Sequence, residues 1–198
     1  MIYIVFYSRY GNTLMLAEAI KEGVKAAGGE ACLRKVHETA PEFVIEKDEQ
    51  WKATLDKMKD IFEAKVEELS NADALVIGSP TRFGNMAAPL KEFIDLTGGL
   101  WMKGALSGKV GAVFVTNSTM HSGKESTLLS MMIPLLHHGM VIVGIPPTEQ
   151  ETVTHGSYYG ATATTGIMAD NPPTEEDLKL AKSLGKRIYE ISSKLSVK

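Results

Sequence analysis

Four apolar runs, Ile2–Phe6, Ala74–Ile77, Val110–Val115 and Val141–Ile145, recur along the chain without polar alternation. Runs of this kind predict strands buried on both faces, as in a parallel sheet. Leu33–His37 is more charged and predicts an edge strand. Between these runs the apolar spacing changes to three and four. Leu16, Ile20, Val24 and Ala27 share one helical face, and Leu90, Phe93, Ile94 and Leu96 share another after Pro89, with Gly98-Gly99 as its stop. Thr174 and Asp177 resemble a capping box before a final helix carrying Leu178, Ala181, Leu184, Ile188, Ile191 and Leu195. Strand and helix thus alternate to the end, which predicts an α/β fold with right-handed crossovers and helices on both faces of the sheet.

Two connections exceed the usual length. Residues 38–72 contain Trp51, Leu55, Met58, Phe62, Val66 and Leu69 at helical spacing, which predicts a further helix whose stripe is read as packing rather than cofactor contact. Pro146 to Pro173 holds Gly156, Gly160 and Gly166 with Tyr158 and Tyr159. That composition suits a loop folded over a site or against another subunit, with a plain surface excursion as the alternative.

At 198 residues and 44% apolar content, the expectation is one domain spanning 1–198. A formal charge of −3 from 21 basic and 24 acidic residues leaves no electrostatic footprint for nucleic acid or anionic lipid, so small-molecule ligands are expected. Cys32 is the only cysteine, which excludes an intramolecular disulfide and suits a reducing cytoplasm. Leu128 to Ile145 is broken by Ser130, Pro134, His137, His138 and Gly139, and the start shows no basic leader, so neither membrane span nor signal peptide is expected. No metal site is expected either.

The chemistry should follow the strands, because open parallel sheets bind ligands beyond their carboxyl ends. Ile2–Phe6 runs into Ser8-Arg9-Tyr10-Gly11-Asn12-Thr13 and then a helix. The first helical N–H groups lack internal acceptors, and the helix dipole adds positive potential, so the turn suits a phosphate. Ser8 and Thr13 can add hydroxyls, and Gly11 or Asn12 can adopt the unusual angles of a tight nest. Neither the Lys-Ser/Thr pair of a triphosphate loop nor a Gly-x-Gly-x-x-Gly is present, which favours a monophosphate ester. Two further polar segments follow strands, Gly78 to Met86 and Thr116 to Gly123.

The phosphate turn resembles the Ser/Thr-x-Thr/Tyr-Gly-Asn/His-Thr pattern of flavodoxin-like flavoproteins. More closely, Pro80-Thr81-Arg82-Phe83-Gly84-Asn85-Met86, Thr97-Gly98-Gly99-Leu100-Trp101 and His137-His138-Gly139-Met140-Val141-Ile142-Val143 resemble the WrbA-type NAD(P)H:quinone oxidoreductases over essentially the whole chain. The resemblance implies a flavodoxin-like three-layer sandwich with a five-stranded parallel sheet in the order 2-1-3-4-5. It further implies FMN as cofactor, a homotetramer, and two-electron quinone reduction, with NADH or NADPH and the quinone alternating at one flavin face. Ser8, Arg9, Tyr10, Gly11, Asn12 and Thr13 would then hold the phosphate. Thr81, Arg82 and Phe83 would border the flavin ring, with Pro80, Gly84 and Asn85 in the same cofactor-binding loop. Thr116, Asn117, Ser118, Thr119, Met120 and His121 would form the third flavin loop, and His137 would lie beside the ring. Tyr10 would contact the nicotinamide nucleotide and Trp101 the substrate.

Read from the residues alone, Tyr10 could instead pack over the turn, Trp101 anchor a loop, and His137 complement a helix end. His121 could donate a proton to a quinone oxygen, although a solvated loop histidine is the simpler reading. Many relatives have a Gly- and Thr-rich third loop, whereas Asn117 to Lys124 here carries larger side chains. Two other functions fit the same fold: a single-electron carrier of the flavodoxin type, or an oligomeric interaction scaffold. The nearly balanced charge argues against the carrier, which depends on strong charge complementarity for rapid encounter.

Overall fold

The structure is a computed structural model that describes residues 1–196. β1 (Ile2–Phe6) runs parallel to the edge strand β2 (Ala31–Lys35) on one side and to the central strand β3 (Ala74–Arg82) on the other, with Ile4 opposite Leu33 and Val76. β5 (Val110–Asn117) pairs parallel with β3, placing Ala112 opposite Val76. The fifth position is split between two short strands. β6 (Val141–Ile142) pairs with Val110 and Gly111, and β7 (Ala161–Thr164) pairs with Phe114 to Asn117. The resulting order, β2-β1-β3-β5 and then β6 and β7, is the expected 2-1-3-4-5 arrangement once the two-residue β4 (Asn85–Met86) is set aside as a hairpin arm of β3.

Side-chain alternation in the strands divides the core into two layers. Ile4, Phe6, Val76, Ala112 and Phe114 face α1 (Asn12–Ala26) and α7 (Glu175–Ser196), where Leu16, Ile20, Leu180, Leu184 and Ile188 are buried. Val5, Leu75, Ile77, Val113 and Val115 face the other way, against Leu90 of α4 (Ala88–Asp95), Leu100 of α5 (Gly98–Met102), and Leu128 and Met131 of α6 (Lys124–His137). The capping box of α7 is reciprocal: Thr174 N–H donates to Asp177 Oδ2 at 3.0 Å, and Asp177 N–H donates to Thr174 Oγ1 at 3.2 Å.

Several expectations need correction. The run Val141–Ile145 leaves the ladder after Ile142, because Ile145 N–H donates to Tyr158 O of the following excursion instead of to β5. The connection from Pro146 to Pro173 contains β7, so it is not wholly a loop. The stripe from Trp51 to Leu69 is not one helix. The short α2 (Glu42–Ile45) precedes α3 (Glu49–Lys57), and the chain then straightens as Lys35 N–H donates to Phe62 O and Ala64 N–H to Lys35 O. The exposed edge of β2 captures this segment and leaves Phe62 exposed. Leu96 is also exposed, and Gly98-Gly99 opens α5 rather than closing α4 directly. The edge strand lies at 31–35, two residues before the predicted start.

Helices α1 and α7 approach so closely that glycine is required on each. A Cβ at Gly23 would stand 2.0 Å from Lys182 O, and one at Gly185 would stand 2.0 Å from Ile20 O. Both obstacles are helix backbone, which cannot step aside as a side chain could. Gly23→Ala or Gly185→Ala should therefore destabilise the chain by about 1–3 kcal/mol, despite alanine's better helix propensity. Thermal unfolding checks this, with the midpoint expected to fall by roughly 2–4 °C per kcal/mol. An unchanged or higher midpoint would show that the helix pair can separate freely.

Candidate functional site

The order of the sheet reverses between β1 and β3, and the candidate site lies at the carboxyl ends of these strands and β5. Gly11 caps α1 in the left-handed region at φ 88°, so of the two residues expected to take unusual angles, glycine does so. Among the described residues, the backbone N–H groups of Arg9 through Thr13 donate to no acceptor in the chain; the helix ladder begins with Met15 N–H to Gly11 O. Ser8 is buried behind the turn, where its Oγ accepts Leu14 N–H at 3.3 Å. Thr13 is also buried, and its hydroxyl meets that of Thr116 at 2.8 Å, joining the turn to the end of β5.

In front of the turn is a cavity of about 190 Å³ lined by Arg9, Tyr10, Asn12, Thr13, Pro80, Thr81, Arg82, Thr116, Asn117 and Ser118, all expected site residues. Three residues not expected complete the lining: Thr165, Ile167 and Ala169, which follow β7. The glycine-bearing connection was the only sequence signal for them. Thr81 is fixed by a 2.6 Å hydrogen bond between its hydroxyl and that of Thr127. Arg82 Nη1 donates to Thr81 O at 3.0 Å.

Other expected residues lie elsewhere. Phe83 and Gly84 form the two-residue turn of the β3–β4 hairpin, both at positive φ, with Phe83 fully exposed at the tip. Thr119 belongs to a turn closed by Ser122, while Met120 and His121 are exposed and do not line the cavity. Trp101 and His137 come together, since Trp101 Nε1 donates to His137 O at 2.9 Å. They line a separate groove of about 490 Å³, with Asn85, Ile133 and Pro134 among its walls, which shares no lining residue with the cavity. Beside them His138 Nε2 meets Thr97 Oγ1 at 2.8 Å. Burial, and then the neighbouring His137, hold the His138 imidazole below its ordinary pKa.

A carboxylate latch flanks the phosphate turn. Asp48 Oδ2 accepts from Tyr10 OH at 3.0 Å and Arg9 Nη2 at 3.2 Å, while Oδ1 accepts Trp51 N–H at 3.0 Å as the cap of α3. Arg9 lies over the Trp51 ring at 3.9 Å. Glu38 Oε2 accepts from Tyr7 OH at 3.0 Å and from Trp51 Nε1 at 3.1 Å. Burial, followed by the Glu38 charge, pushes the Tyr7 phenol well above its usual pKa; burial, and then the bond to Asp48, also raises Tyr10. For Asp48, burial works against ionisation, but the bonds from Trp51 N–H, Tyr10 and Arg9 outweigh it and hold the carboxyl below its ordinary value. Sequence reading missed both carboxylates. Asp48 three residues before Trp51 is an N-cap pattern, but its reach across to residues 9 and 10 has no local signature.

The model of the NADPH-dependent FMN reductase family matches residues 7–147. Over 194 residues, the chain is 47% identical to a curated protein of Archaeoglobus fulgidus named NAD(P)H dehydrogenase (quinone), covering 98% of each chain. A protein of the same name from Geotalea daltonii is also 47% identical, over 97% of this chain and 96% of its own. Among solved structures, the WrbA-like flavodoxin from Agrobacterium tumefaciens is similar with a TM-score of 0.69 at 21% identity, covering 98% of this chain and 97% of that one. Oxidised Flavodoxin 2 from Bacillus cereus gives a TM-score of 0.64 at 20% identity, over 96% and 98% of the two chains. These structural likenesses establish the flavodoxin-like fold.

The latch carries a pH dependence with a definite sign. Because the Asp48 carboxyl is held below its ordinary value of 3.8, its contribution to stability is fully present above that pH and is lost as pH falls through the lowered value. Asp48→Asn should therefore lower the thermal midpoint at neutral pH, and the gap from the native chain should close in more acid solution. A gap that is constant across the acid range would show that the charge on Asp48 contributes nothing to the latch.

Proposed function

The chain belongs to the NADPH-dependent FMN reductase family, and from that premise we propose that it is an FMN-dependent NAD(P)H:quinone oxidoreductase. The observation that carries this reading is the run of backbone N–H groups from Arg9 to Thr13 at the start of α1, opened by the left-handed Gly11. It fits a phosphate monoester, with Arg9 and Arg82 adding positive charge from the cavity wall. FMN, when bound, supplies a ring that accepts a hydride from a nicotinamide nucleotide and passes two electrons to a quinone.

The protein's part is binding, orientation and charge. The 9–13 turn holds the phosphate; Pro80, Thr81 and Arg82 form one wall and Thr116, Asn117 and Ser118 another. Tyr10, whose hydroxyl is held by Asp48, takes the nicotinamide-nucleotide contact in this reading. Arg82 stands where its charge favours electron density on the ligand. We take residues 1–198 as one FMN-binding domain. Among the described residues no helix is long and apolar enough to cross a membrane. The lone Cys32 fits a cytoplasmic location.

Trp101 and His137 line a groove that shares no lining residue with the cavity, which favours their meeting the ligand of a neighbouring subunit. Trp101, Met102, Ile133 and Leu136 are exposed on this side, an apolar face of the kind that subunit contacts cover. We therefore infer a homotetramer in which the Trp101 groove of one subunit walls the substrate position of another. His137 then stands beside the flavin across that boundary.

Two tests follow. Gly11→Val places a branched residue at φ 88°, although the nearest atom to its Cβ, Thr54 Oγ1, is 3.7 Å away. The penalty is backbone strain rather than lack of space, about 1–3 kcal/mol; the variant turn relieves it by relaxing away from the binding shape, so FMN affinity should fall by roughly fivefold to 150-fold. Calorimetric titration checks it; unchanged affinity removes the phosphate turn assignment. In steady-state kinetics, double-reciprocal lines for nucleotide and quinone should be parallel, and Trp101→Ala should impair quinone turnover more than FMN loading. Intersecting lines would contradict one shared face, and a fully active monomer would contradict the shared pocket.

A further inference from the structure

Residues 165–169 leave β7 and arch across the cavity, pinned to three separate parts of the fold. Thr165 N–H donates to Asn117 O at 2.8 Å, at the end of β5. Ala169 O accepts from Asn12 Nδ2 at 2.9 Å, in the first turn of α1, and from Gln50 Nε2 of α3 at 3.5 Å. Within the arch, Ala169 N–H donates to Gly166 O at 3.1 Å, and Asn171 N–H closes back on Thr165 O at 3.0 Å. Ala169 holds φ 56°, a left-handed angle that alanine seldom adopts and that persists only where the surroundings impose it.

What this pinned arch presents to the cavity is an isoleucine. Ile167 lines the cavity together with Thr165 and Ala169, yet it is 81% exposed. An aliphatic side chain fixed in this way on a cavity rim gains burial when a ligand fills the space beneath it. The same arch is tied through Asn12 to the turn whose N–H groups face the phosphate, so ligand contact on one side and arch position on the other are joined by one residue.

We propose that Ile167 is a ligand-contact residue, an apolar clamp that closes over FMN beside the phosphate turn and sets how slowly it is released. The proposal rests on the FMN-binding reading above. It predicts an asymmetry between the empty and loaded protein. Because Ile167 is exposed and packs little against the rest of the chain, replacing it removes little that holds the fold together; with FMN bound the same change removes buried apolar contact.

The test compares the native chain, Ile167→Ser and Ile167→Val. FMN release is followed by recovery of flavin fluorescence after dilution, and thermal unfolding and light scattering are recorded with and without FMN. Ile167→Ser should release FMN about tenfold faster, with the midpoint lowered only in the loaded protein, and Ile167→Val should restore most of the native residence time. An Ile167→Ser release rate equal to the native one overturns the clamp, as does a loss of oligomer mass with release unchanged, which would make Ile167 a subunit contact. If the native protein takes up no FMN, the FMN-binding reading falls and the clamp falls with it. FMN uptake with indifferent release rates overturns the clamp alone.

Discussion

A helix cannot satisfy its own first N–H groups, and the site is built around that fact. At the end of β1 the chain turns through Gly11 into α1, leaving the N–H groups of Arg9 to Thr13 without acceptors in the chain. The turn's position is set by the sheet. β1 lies between β2 and β3, where the order reverses, so the start of α1 opens into the crevice between neighbouring strand ends. Its orientation depends in turn on α7, which α1 meets glycine to backbone at Gly23 and Gly185. The Thr13–Thr116 hydroxyl pair then joins the turn to β5.

The second layer of the design is the 38–57 excursion. Glu38 and Asp48 draw donors from Tyr7, Arg9, Tyr10 and Trp51, so the side chains at the end of β1 are held from outside the sheet. Arg9 thus meets the cavity already stacked on Trp51 and paired with a carboxylate, with less rotamer freedom left to lose when an anion binds. The third layer is the split fifth strand position. Because the chain leaves the ladder after Ile142 and returns at Ala161, the residues following β7 come back to the strand ends and supply a wall of the cavity.

The strands and the phosphate turn were legible because their signals are local. Unalternating apolar runs mark buried strands, and a small polar turn between strand and helix marks an anion site. The capping box at Thr174 and Asp177 was legible for the same reason. The failures share the opposite cause. The helix expected through Phe62 and Val66 ends early because the edge of β2 offers hydrogen bonds 27 residues back in the chain from Phe62 to Lys35. Thr165, Ile167 and Ala169 escaped notice because their role depends on the return of the chain beside β5. Trp101 and His137 were identified by resemblance, and the structure places them together in a groove of their own rather than in the cavity.

The central claim is that the turn from Arg9 to Thr13 recognises a phosphate, and comparing FMN with riboflavin isolates that group, since riboflavin lacks only the phosphate. Two or more charge-assisted hydrogen bonds of about 1.5–3 kcal/mol each should make FMN at least about a hundredfold tighter in equilibrium titrations. Equal affinity for the two would contradict the account, because the N–H groups around Gly11 would then contribute nothing to holding the ligand.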